Sequence, residues 1–106
     1  MPKFLVQLSY MAEGTKGLLK DGGSARRKAA GDVLAQFNGK LEAFYFAFGA
    51  DDAALIVDVP DQETMAAISL TVNATGTIRT RATALLTPEQ VDEAVKKHEN
   101  YRPPGQ

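Results

Sequence analysis

The sequence predicts one α+β domain of the ferredoxin-like type, in the order β-α-β-β-α-β with an extra helix at the C-terminal end. Three observations predict it. Apolar residues recur with the period of two of a pleated strand in four segments. Helical spacing replaces that period between the first and second segments and again between the third and fourth. A short polar tip alone separates the second segment from the third, as in a hairpin. Right-handed crossovers then give a four-stranded antiparallel sheet with helices on one face.

The first strand is read at Lys3 to Tyr10, where Phe4, Val6, Leu8 and Tyr10 share one face and Leu5, Gln7 and Ser9 the other. From Ala12 to Phe37 the pattern is helical but broken at Asp21-Gly22-Gly23-Ser24, because each glycine in a helix interior costs roughly 1 kcal/mol. A short helix should therefore precede a longer one, with Ser24 as the N-cap of the second and Asn38-Gly39 as its stop. Lys40 to Phe48 and Ala53 to Val59 read as paired strands around Gly49-Ala50-Asp51-Asp52. Pro60-Asp61 opens a helix through Val72, with Met65, Ile68 and Val72 on one side and Gly76 just past its end. Ile78 to Leu86 is the fourth strand. Thr87-Pro88-Glu89-Gln90 is a capping box with proline at the first helical position, for a last helix to about Glu99. The tail, residues 100–106, contains Pro103-Pro104 and should be extended.

A chain of 106 residues has room for one core, so residues 1–106 are taken as a single domain. A hydrophobic share of 44% places the chain well outside the composition of disordered segments. The formal charge of -1 offers no field for a polyanion, which argues against nucleic acid as a partner. Without cysteine there is no disulfide, thiolate metal site or thiol nucleophile. No metal-ligand set is recognisable, and the sequence calls for no cofactor. The opening Met1-Pro2-Lys3 runs straight into a strand, without the apolar stretch of a signal peptide, and no apolar run is long enough to cross a membrane. A cytoplasmic protein without membrane partners is expected.

The sheet face turned away from the helices needs a cover. In the second strand Leu41, Ala43, Tyr45 and Ala47 lie on one side and Phe44, Phe46 and Phe48 on the other, and Leu5, Ala54 and Ile56 add to the apolar character of the first and third. A solvated antiparallel face shows cleaner alternation than this. A second copy is the economical cover, giving a homodimer that presents the same patch from both halves. The alternative is a monomer whose last helix and tail fold back over the sheet.

Several stretches carry a resemblance. They are Pro2-Lys3-Phe4-Leu5-Val6 with Ser9-Tyr10, Gly22-Gly23-Ser24-Ala25-Arg26-Arg27, the run from Gly39 to Gly49, Leu85-Leu86-Thr87-Pro88-Glu89, and Tyr101-Arg102-Pro103-Pro104-Gly105. Together they resemble the bacterial GYD-domain family over essentially the whole chain. At the naming motif, in the hairpin, Gly49 and Asp52 match, while Asp51 stands where the family usually has tyrosine. The resemblance implies a dimeric α+β barrel of uncharacterised function and supplies no catalytic residues.

Among chemistry-bearing residues, Gly22, Gly23, Ser24, Arg26 and Arg27 form the leading candidate, since glycines before a helix can turn N–H groups onto an anion and arginines complete the charge. The competing reading is a simple helix break flanked by a solvated basic face. Tyr10 and Tyr45 are candidates to line a cavity between sheet and helices, with Ser9 or Gln7 as hydrogen-bond partners; each could equally be core or dimer contact. Asp51 and Asp52 read as a polar hairpin tip, Arg79 and Arg81 as charges on the fourth strand, and His98 as a helix-end residue. The favoured function is a homodimeric domain that binds a small anionic or aromatic ligand without turning it over. The alternative is a cofactor-independent isomerase or oxygenase acting on an acidic or aromatic metabolite, and a third is a structural protein whose Pro-Pro tail docks as an arm.

Overall fold

A computed structural model describes residues 1–106. The elements are β1 (Lys3–Tyr10), α1 (Ala12–Asp21), α2 (Gly23–Gln36), β2 (Lys40–Phe46), β3 (Ala53–Asp58), α3 (Gln62–Asn73), β4 (Ile78–Leu85) and α4 (Pro88–Lys96). All pairings are antiparallel, in the order β2-β3-β1-β4, an arrangement compatible with the ferredoxin-like fold. No helix is long and apolar enough to cross a membrane.

The period-two pattern of β1 and β3 becomes the core directly. Phe4, Val6 and Leu8 are buried on one face of β1, opposite Val57, Leu55 and Ala53 of β3. Leu34 of α2 and Met65 and Ile68 of α3 close over them, so both helices lie on that side. α2 packs mainly over β2 and α3 over β4. The middle strands thus form a floor between two helices that sit toward opposite edges of the sheet.

Local chemistry explains the element ends. Gly22, with φ of 85°, joins α1 to α2 in a conformation that residues with a Cβ avoid, and its N–H caps α1 on Leu18 O at 2.8 Å. The cap of α2 is therefore Gly22 and not Ser24, which is the second residue inside the helix, and no side chain caps this end. Asn38 takes the left-handed position that stops α2, and Gly39 N–H reaches Leu34 O at 2.8 Å. A bulge at Glu42 shifts the register of β2. Leu41 thereby joins Phe44 and Phe46 on the helix side, while Ala43 and Tyr45 face the other way, which corrects the simple alternation expected from the sequence. β2 also ends two residues early, because Ala47 N–H turns back to Asp52 O at 2.8 Å.

The capping box of α4 forms in both directions, between Thr87 and Gln90. The helix does not fold back: every residue from Pro88 to Gln106 is exposed. Beyond it the chain has no regular structure and closes in a turn at Pro104–Gly105.

Leu55→Ala, at the centre of the core, is expected to lower the unfolding free energy by about 2–5 kcal/mol. A urea titration showing a loss below about 1 kcal/mol would mean that the core is not centred there. Asp61 caps α3 by accepting from Thr64 Oγ1 at 2.6 Å and Thr64 N at 2.7 Å, and these donors hold its carboxyl below the usual value. That contribution is present above the unfolded carboxyl's pKa and lost as pH falls through the lower folded one. Asp61→Asn keeps an acceptor without the charge, so the melting-temperature gap between wild type and variant should narrow between pH 7 and about pH 2. A gap that widens on acidification would contradict the cap.

Candidate functional site

The floor of β1 and β3, with α2 and α3 as walls, bounds an apolar cleft of about 230 Å³. Val6 and Leu8 of β1 and Leu55 and Val57 of β3 form the base, and Ile78 and Thr80 of β4 extend it. Ala29, Ala30 and Val33 line the α2 side, and Met65, Ile68, Ser69 and Val72 the α3 side. Small alanines on the inner face of α2 leave the space open. Most of the fifteen lining residues are apolar; Ser69 and Thr80 add hydroxyls, and Arg26 is the single charged group.

Arg26 is a cation without an ion-pair partner. It sits in the first turn of α2, half-buried. It also borders a smaller recess of about 150 Å³ with Tyr10, Glu13 and Thr77. A guanidinium at the mouth of an apolar cleft can take a carboxylate through two parallel N–H bonds while the cleft holds the apolar remainder.

The residues singled out from the sequence are distributed over three places. Tyr10 and Arg26 meet at the recess beside the cleft. Tyr10 and Gly23 also border an open hollow of about 490 Å³ with Leu18, Phe46 and Phe48. Gly23, Ser24 and Arg27 line a shallow depression against Phe44 and Phe46. Gly22 is exposed at the joint between the helices. Arg26 and Arg27 diverge, the first toward the cleft and the second outward. Gly23 packs against the Phe46 ring, from which a Cβ there would stand 2.9 Å. Tyr45 does not enter the cleft; it projects from the opposite face of the sheet, 72% exposed. Ser9 and Gln7 also lie on that face, away from Tyr10.

The hairpin carboxylates are tied down and do not form a free tip. Asp51 is ion-paired with Arg81 and accepts from Ser9 Oγ at 3.2 Å, and Asp52 accepts from Tyr10 N at 2.8 Å. They pin the hairpin to the end of β1 and to β4. At the other end of the open face, Lys3 is bound by Glu42 and by Asp58 at 3.2 Å, and Glu42 first, then Asp58, raise its pKa above the usual lysine value. His98 sits at the exposed end of α4 with Nδ1 2.7 Å from Val95 O.

Sequence reasoning missed the cleft walls. Val33, Met65, Ile68 and Val72 read as core stripes, and helical spacing cannot separate a residue that fills a core from one that lines a cleft. The detectable signal was Arg26 one turn from Ala29 and Ala30, a cation beside unusually small residues on an inward face.

Comparison with known proteins adds one match. The GYD domain family model matches residues 4–95 of the chain. No curated protein and no solved structure matches it.

Asp51→Ala removes the anchor of the hairpin and should speed amide exchange in residues 47–52 by about tenfold or more while leaving β1 and β3 protected. Unchanged exchange there would show that the Ser9 and Arg81 contacts do not hold the loop.

Proposed function

The chain belongs to the GYD-domain family, and we propose that it is a homodimeric binding domain for a small amphipathic carboxylate, aromatic or of medium chain length. The observation that supports this most is Arg26, a half-buried cation with no protein partner, at the edge of an apolar cleft. A volume of about 230 Å³ has room for roughly eight water-sized groups, the scale of an aromatic ring with a short acid side chain. Ser69 and Thr80 offer two hydroxyls to orient a polar substituent. The lining holds no pair of acid and base groups, which favours binding over turnover.

The dimer rests on the open sheet face. Leu5, Ala43, Ala54 and Ile56 lie there with the exposed phenol of Tyr45, framed by the Lys3–Glu42–Asp58 cluster at one end and the Asp51–Arg81 pair at the other. An apolar centre with an ion-paired margin matches the composition of protein interfaces. One feature favours the enzymatic alternative as second reading: Tyr10 and Glu13 border the same recess as Arg26, within reach of a carboxylate held there.

Thermal-shift titrations with phenylacetate and octanoate, against the matching amides, test the first reading. Binding to the native state raises the melting temperature with ligand concentration. The acids are expected to stabilise more than the amides; Arg26→Ala should remove that preference, and Ala30→Trp, which fills the cleft, should remove both responses. A shift that survives both substitutions, or no shift with either acid, overturns the site. Consumption of the bound acid would select the enzymatic reading.

A further inference from the structure

The C-terminal helix poses a separate problem. α4 is well specified, with a complete capping box, Glu89 in its first turn and Lys96 in its last. Its apolar stripe of Val91, Ala94 and Val95 is nevertheless left exposed; Val91 is 46% and Val95 60% exposed, and Leu86 and Tyr101 on either side are 64% and 78% exposed. A helix this short is marginal alone in water and draws its stability from packing of its apolar face. The molecule is correspondingly extended. Its radius of gyration is 17.0 Å, against about 13 Å for a compact domain of this length.

We infer that α4 and the tail after it are an exchanged arm, which seats its apolar stripe on the second copy of the chain in the dimer. The inference rests on the dimer proposed above and identifies what completes it. The accessible surface is 7524 Å², whereas a compact monomer of 11.4 kDa exposes about 5,800 Å². The excess of roughly 1,700 Å² exceeds the about 800 Å² that each partner gives to a standard interface. The open sheet face is itself narrow: four strands about 4.8 Å apart, with about 3.3 Å per residue over seven residues, give a plan area of roughly 450 Å². The arm adds its own exposed surface to that of the sheet, which widens the interface the dimer can bury.

Charge selects a second copy over a foreign partner. The arm has Glu89 in its first turn and Lys96 in its last, the open face carries two ion-paired groups beside the unpaired Lys40 and Arg79, and the formal charge is -1. A surface so balanced complements itself under two-fold symmetry and offers no attraction to a strongly charged macromolecule.

Sedimentation equilibrium of the full chain and of the Val91→Asp/Val95→Asp double variant tests this, with circular dichroism to verify folding. These side chains are exposed within their own domain, so the variant should fold. The wild type is expected to be a dimer and the variant to dissociate at least a hundredfold more readily, since both arms lose their apolar contacts. As a second measurement on unmodified protein, amides of α4 should gain exchange protection as protein concentration rises through the dimer range. A wild-type dimer with an unchanged dissociation constant in the variant, or with α4 unprotected throughout, overturns the arm and leaves the sheet-to-sheet dimer standing. A monomeric wild type overturns both.

Discussion

The packing of Phe4, Val6 and Leu8 on β1 against Leu55 and Val57 on β3 is the interaction on which the remaining structure depends. These strands are the two central ones, and their inward residues account for much of the buried set. Each outer element is anchored on them: β2 by its ladder to β3 with Leu41 and Phe44 against the core, β4 by its ladder to β1 with Ile78 in it, and the helices by Leu34, Met65 and Ile68 laid on the same face. Because α2 and α3 sit toward opposite edges, the centre of this floor is also the base of the cleft. One row of apolar side chains therefore both holds the fold together and shapes the site.

Where a local pattern met a single competing influence, the sequence was legible. β1 is bounded as its alternation implies, and the caps at Asp61 and Thr87 are where residue chemistry puts them. The departures have definite causes. Leu41 changes face because one extra residue in β2 is absorbed as a bulge, and alternation alone carries no sign of an insertion. Ser24 loses the cap because Gly22 adopts positive φ and caps a helix that starts at Gly23, a choice made by the backbone that serine's propensity does not reveal. The hairpin tip looked merely polar, since the partners of Asp51 and Asp52 lie about seventy positions of chain apart, on β1 and β4, and only the sheet order unites them.

The site was legible in part for the same reason. The basic cluster was visible as a cluster, but helix geometry divides it, turning Arg26 inward and Arg27 outward about a quarter-turn and more apart. Tyr10 and Tyr45 were equivalent as phenols on strands; the sheet separates them, since one follows the inward phase of β1 and the other the outward phase of β2 after its bulge. A cleft is a relation between elements, set here by how far α2 and α3 stand apart, and no single segment encodes that distance.

A sheet is one layer thick, and in β3 this has a consequence for the proposed function. Leu55 and Val57 line the cleft, while Ala54 and Ile56, alternating with them, stand on the open face assigned to the partner. A ligand pressing on the first pair and a second copy pressing on the other act on the same backbone, with no intervening element to absorb a shift. If occupancy of the cleft alters the twist or spacing of β3, the dimer is stabilised or weakened by the same free energy with which the dimer alters ligand affinity, because binding free energies are linked reciprocally. The two proposed surfaces therefore meet at the backbone of β3, and any coupling between them has to pass through that strand.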